Sequence, residues 1–198
     1  MRRLPQYRSA QPTAQIDVDA TIRQAIETGG LTTAAYQKAQ SQQTQLFFLR
    51  DHQGSMIGFH GLGDALQTLL EQTTQPQFKP FYFYNVPRNY LFKNKTRTES
   101  VLMDSFWNDL MHPNRAVVVW SDAGAARGHY NRKRVEATEI FIKQIRKRTN
   151  RMVWLNPMPQ YRWADTSAAA IAQHVPMFEA HETGLKNALV ALKRNGFL

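Results

Sequence analysis

Four short runs in this chain are apolar or aromatic at every position: Leu46–Leu49 (LFFL), Phe81–Tyr84 (FYFY), Ala116–Trp120 (AVVVW) and Met152–Trp154 (MVW). A strand with one wet face alternates apolar and polar residues, so uninterrupted runs of this length predict strands covered on both faces. Between the runs the apolar period changes to a helical one. Phe59, Leu62, Leu66, Leu69 and Leu70 form one stripe, Leu102, Phe106 and Leu110 a second within 99–110, and Val135, Thr138, Ile142 and Ile145, with Phe141, a third. Further helices are expected over Thr166–Gln173 and Glu182–Arg194, and Tyr90–Lys93 could extend the sheet at an edge. The alternation predicts an α/β fold with a mostly parallel central sheet and helices on both faces.

The chain of 198 residues divides at a change of composition. Residues 1–42 read as an N-terminal arm and helix, and 43–198 as the α/β domain. In the arm, Asp17 would cap a helix carrying Val18, Ile22, Ala25 and Ile26, stopped by Gly29-Gly30. Gln37–Gln45 holds five glutamines in nine residues, a linker composition. A single domain of this size removes roughly 70% of its unfolded surface from water and needs no covalent staple. The absence of cysteine excludes a disulfide framework, a thiolate zinc site, an iron–sulfur cluster and thiol catalysis. Met1–Ser9 lacks a signal-peptide core and no apolar run is long enough to span a bilayer, so the expected location is the cytoplasm.

Charge narrows the partners. There are 25 Lys+Arg against 15 Asp+Glu, a formal charge of +10. Nine of the basic residues fall between Arg127 and Arg151, where the acids are Glu136 and Glu139. Arg127, Arg132, Lys133 and Arg134 are the candidates for engaging an acidic protein surface or phosphates. Smaller basic groups sit at Arg2, Arg3 and Arg8, and at Arg88, Lys93, Lys95 and Arg97. Apart from Tyr130 and Phe141, no aromatic residues interleave with the main cluster as stacking platforms would, which argues against a single-strand surface there.

Two strands end in aspartate followed by small residues: Asp51-His52-Gln53-Gly54-Ser55-Met56 and Ser121-Asp122-Ala123-Gly124. In open parallel sheets, ligands bind at the carboxyl ends of the strands, which makes this pair the leading candidate site. Carboxylates and a hydroxyl are the oxygen donors that a hard cation such as Mg²⁺ requires, and a glycine lets the loop turn Ser55 back toward Asp51. Aspartate and serine also serve as plain turn and cap residues, so the pattern alone does not decide between the two roles.

The stretch Leu46–Met56 with its following helix resembles the first strand and metal-ion-dependent adhesion motif, D-x-S-x-S, of von Willebrand factor A domains. Asp51, Gly54, Ser55 and Met56 match, and Gln53 stands where the motif has its first serine. Val117–Gly124 resembles the strand bearing the family's later aspartate, matched by Asp122. Ala125-Ala126-Arg127-Gly128, Trp154-Leu155-Asn156-Pro157, Arg162-Trp163 and Val175-Pro176-Met177 resemble the bacterial CoxE-like branch. The resemblance covers roughly Gln43 to Arg194 and implies a von Willebrand A, Rossmann-like sheet. It also implies a non-enzymatic interaction domain working beside a MoxR-type AAA+ ATPase in protein remodelling or maturation. By carry-over, Asp51, Gln53, Ser55 and Asp122 would hold Mg²⁺ in a degenerate site, with Thr96 or Thr98 as a further ligand.

A PIN-like metal-dependent nuclease acting on RNA or single-stranded DNA is the alternative, since it too places aspartates at strand ends. Its further carboxylates would be Asp64 and Asp104. The histidines His52, His60, His112, His129, His174 and His181 show no zinc spacing and read as surface or helix-end residues. Trp154 and Trp163 are expected in the core. Ser55 and Ser121 have no placed histidine and acid partners for a hydrolase.

Overall fold

Phe47, Phe48 and Leu49 have no solvent exposure at all, as a run covered on both sides must. The computed structural model describes residues 15–16, 36–37, 44–74 and 77–194. Strands β1 (Gln15–Ile16) and β2 (Tyr36–Gln37) pair antiparallel. The helix expected from Asp17 and its glycine stop lie outside the described residues.

The four apolar runs become β3 (Gln45–Asp51), β4 (Phe78–Phe83), β7 (Arg115–Trp120) and β8 (Met152–Asn156). Between β4 and β7 the chain adds β5 (Tyr90–Phe92) and β6 (Ser100–Leu102), and after β8 it adds β9 (Met177–Glu179). The seven strands lie in the order β6-β5-β4-β3-β7-β8-β9. From β4 to β9 every neighbouring pair is parallel, whereas β5 and β6 extend the sheet antiparallel. Tyr90–Lys93 therefore does extend the sheet, and β6 forms its edge.

The helices are α1 (His60–Thr74), α2 (Met103–Leu110), α3 (Arg132–Arg146), α4 (Ser167–Ala172) and α5 (Glu182–Arg194). Side chains alternate across a strand, so successive residues serve opposite faces. Phe47, Leu49, Val117, Val119 and Trp154 share one core with Phe106 of α2, Ile142 of α3 and Ile171 of α4. Phe48, Val118, Trp120 and Leu155 form the other with Leu70 of α1 and Ala188 of α5. The expected covering of both faces is thus observed. None of the helices among the described residues is long and apolar enough to cross a membrane.

Two stripes differ from expectation. Leu102 ends β6 and is exposed, because pairing with β5 claims Ser100–Leu102 before the helix begins at Met103. Leu62 is also exposed, and Gly63 takes the buried position beside it, where the Arg50 guanidinium and Trp120 indole leave no space for a larger side chain.

Taking the parallel strands by their order in the chain, β3, β4, β7, β8 and β9 are arranged 2-1-3-4-5. The chain leaves β3 toward one side of the sheet and β7 toward the other. At such a reversal the loops diverge and open a crevice at the carboxyl ends. Asp51 ends β3, and Ser121-Asp122 follow β7, so both aspartate loops stand at that point.

Candidate functional site at the carboxyl edge of the sheet

Each aspartate is buried, and each accepts a hydroxyl from the opposite loop. Ser55 Oγ donates to Asp122 Oδ2 at 2.8 Å, and Ser121 Oγ donates to Asp51 Oδ2 at 2.9 Å. The two loops are stapled by this exchange. The remaining acceptor capacity is spent on backbone. Asp51 Oδ1 receives the N–H groups of Asn85 (3.2 Å) and Gln53 (3.4 Å). Asp122 Oδ1 receives Gly124 N–H, and Asp122 Oδ2 receives Ala126 N–H, both at 3.1 Å.

Local backbone makes this geometry possible. Gly54 and Gly124 adopt φ of +60° and +88°, a region that costs glycine little. Ala123 (φ 51°) and Asn85 (φ 62°) adopt it as well, at a cost of roughly 1–2 kcal/mol for a residue with a Cβ. Their strain is held by local hydrogen bonds: the Asn85 N–H donates to Asp51 Oδ1, and the Ala123 N–H donates to Ser121 Oγ at 3.2 Å. Beneath the loop, fully buried Asn156 donates Nδ2–H to the Asp122 carbonyl at 3.0 Å and accepts Met158 N–H on Oδ1. Trp154 Nε1–H donates to the Ser121 carbonyl at 2.8 Å, which fixes the loop from within the core as expected of that tryptophan.

Two arginines lie over the loops. The Arg127 guanidinium sits against Gly54, so that a Cβ there would meet its Nη2 at 2.9 Å. The Arg134 guanidinium packs on Gly124 and donates to Asn85 Oδ1 at 3.2 Å. Burial and the neighbouring Arg127 hold the Arg134 guanidinium below its ordinary pKa, while the charges of Asp122 and Asp51 act in the opposite sense. Arg127 and Lys133 form no ion pair among the described residues. Arg132 is exposed and pairs with Glu136 at 2.7 Å.

No family model matches the chain, and no curated protein matches it.

The donor set does not suit a resident dication. The hydroxyls and carboxylates have the right chemistry, but they are directed at one another and at backbone N–H groups. Two guanidinium groups already bring positive charge to the loops, and a dication would be repelled by them. Gln53 is exposed and contributes its backbone N–H rather than a ligand oxygen. Thr96 and Thr98 are exposed and bond to each other and to Asn94 in the turn between β5 and β6. Among the described residues, no three His, Asp or Glu side chains are grouped as a metal site. Asp64, offered as a nuclease carboxylate, instead pairs with Arg50 and Lys95 at 2.6 Å each, and Asp104 is exposed.

The sequence reading missed Ser121 as a partner of Asp51, and Asn85 as the residue joining Asp51 to Arg134. The mirror arrangement of Asp-then-Ser in one loop and Ser-then-Asp in the other was the available signal for Ser121. His60 opens α1 as a helix-end residue, and His52 is half-buried in the loop before it. Their rings stack at 3.8 Å and 11°, and each carries a buried ring nitrogen without a hydrogen-bond partner among the described residues.

The two titratable groups flanking the loop respond to pH in opposite senses. Burial, with help from the Asp122 charge, raises Asp51 from 3.8 to about 6 against the opposing Ser121 and backbone hydrogen bonds. Its contribution to stability is whole below the unfolded value and fades as pH rises through 6. Burial, then His60 and Arg50, lowers His52 from 6.5 to about 4. Its contribution is whole above the unfolded value and fades as pH falls toward 4. The stability deficit of Asp51→Asn relative to wild type should therefore shrink between pH 4 and 6, whereas that of His52→Phe should grow. Urea midpoints at half-unit intervals measure both, and parallel curves for all three proteins would refute the assignment.

Proposed function

We propose that this chain is a non-enzymatic protein-interaction domain of the von Willebrand A, CoxE-like type that its loops resemble. In this reading the carboxyl edge docks an acidic segment of a partner, for which the resemblance suggests a MoxR-type AAA+ ATPase. The observation that carries it is the pair of arginines over the stapled aspartate loops. A metal-dependent adhesion loop presents a cation to an incoming carboxylate, and here Arg127 and Arg134 present a guanidinium instead. Arginine suits the task because it stays charged and offers carboxylate a two-pronged donor. Exposed Ile57, 64% accessible in the turn Gly54–Phe59, supplies an apolar contact on the same loop. A carboxylate at the rim and an apolar anchor beside it make a conventional interface core and border.

Titration calorimetry with a glutamate-rich peptide tests the proposal. Binding is expected at the same affinity in chelator and in Mg²⁺, and Arg127→Glu or Arg134→Glu should weaken it about 10- to 100-fold. Binding that requires Mg²⁺ and survives both reversals would return the site to an ion. No binding in either condition would remove the acidic-partner reading.

A further inference from the structure

Beside the aspartate loops, a cavity of about 580 Å³ opens between the end of β4, strand β5 and the start of α3. Five cations line it: Arg88, Arg97, Arg127, Lys133 and Arg134, with no carboxylate among the lining residues. None of the five forms an ion pair among the described residues, whereas Arg132 and Lys143 on the same helix pair with Glu136 and Glu139. Arg134 feels the nearby charges of Asp122 and Asp51, but five cations around one hollow still repel one another unless an anion enters it.

The apolar part of the lining is aromatic. Tyr84, Tyr90 and Phe92 meet edge to face, with Phe92 5.5 Å from Tyr84 and 5.2 Å from Tyr90. Arg97 covers the Tyr84 ring at 5.0 Å, and Tyr90 is 49% exposed. Asn85, Asn89 and Asn131 add amide donors and acceptors to the rim. The basic stretch of α3 has no stacking residues of its own. The hairpin of β5 and β6 brings them from a segment some 40 residues earlier in the chain.

We propose that this cavity binds a nucleotide unit, with phosphate at Lys133, Arg134 and Arg127 and the base against Tyr90 and Phe92. The ligand is a phosphate-bearing base, either free or as part of a single strand. Stacking aromatics beside a basic groove are the means by which single strands are held with little sequence preference. A glutamate-rich peptide would use the charges and the amide rim but has no planar ring to stack on the half-exposed tyrosine. The cavity shares Arg127 and Arg134 with the docking edge, so the two ligands should compete. Tyr90, Arg88 and Arg97 lie outside the aspartate loops and allow separate tests.

Fluorescence anisotropy with labelled oligo-uridylate and oligo-thymidylate, competed by AMP, ATP and glutamate-rich peptide, is the experiment. Oligonucleotide affinity should fall steeply with salt, and Arg88→Gln should reduce the log–log slope by about 1. Tyr90→Ala should cost about 10-fold or more in oligonucleotide affinity while leaving peptide affinity unchanged. Full competition by AMP or ATP would assign the cavity to a free nucleotide, and competition by oligonucleotide alone would assign it to a strand. Absence of binding by oligonucleotides and nucleotides alike at low salt overturns the proposal, as does binding indifferent to Tyr90→Ala. Peptide binding that persists in either case leaves the docking reading intact.

Discussion

Asp122→Ala is expected to lower stability by about 3–5 kcal/mol, because it strands the Gly124 and Ala126 N–H groups and the Ser55 hydroxyl together. In a domain of this size the melting midpoint should fall by roughly 10–15 °C. The decisive comparison is between solvents. A structural carboxylate costs the same to remove in chelator as in Mg²⁺, whereas a metal ligand matters only when the metal is bound. An ion at about 100 times its dissociation constant would add ~2.7 kcal/mol to the wild type. The expected result is equal midpoints for the wild type in both buffers and an equal loss for the variant. A wild-type rise in Mg²⁺ that Asp122→Ala abolishes would show that the arginines do not replace an ion.

Arg50→Ala is the second large effect. Arg50 lies in β3 with 1% exposure, donating to Asp64 (2.6 Å), Gln67 (2.8 Å) and the His60 carbonyl, over the face of Tyr82. Truncation leaves a void the size of its side chain and removes the donor that Gln67 and Asp64 face inside the fold. The expected loss is about 3–5 kcal/mol. Arg50→Met should recover most of it, because a well-packed apolar stem dispenses with the desolvated charge, and Asp64 keeps Lys95 at 2.6 Å. Chemical denaturation of both variants measures the contrast. A methionine variant as unstable as the alanine variant would mean that the charge itself, rather than the filled volume, holds α1 to the sheet.

Arg50 also shows where reading the sequence reached its limit. The run LFFL announces a strand buried on both faces, and the four such runs yielded the parallel part of the sheet and its helical cover. Burial of the next residue, an arginine, leaves no trace in periodicity because its partners Asp64 and Gln67 come from the helix that follows. Short elements were lost for a related reason. Ser100–Leu102 and Met177–Glu179 have three residues each, too few to express a period of two, and their pairing depends on neighbours distant in sequence. The aspartate loops were legible because their chemistry is local, down to the two glycines and Ser55. What the chain could not disclose in one dimension was the crossing of hydroxyls between loops 67 and 70 residues apart. The placement of Arg134 over Gly124 and of the β5 aromatics beside α3 was equally invisible, since each is a product of strand order.

That strand order has a bearing on how any partner approaches. The sheet terminates at both margins in strands of three residues, β6 and β9. A neighbour seeking to prolong the ladder would find only a few backbone donors and acceptors at either margin, too little to hold an added strand securely. In the proposed docking mode, contact therefore falls on the rim where the strands finish rather than on backbone zippering. There the exposed Arg127 and Lys133, unlike the buried aspartates, can change charge or shape one residue at a time without disturbing the sheet beneath.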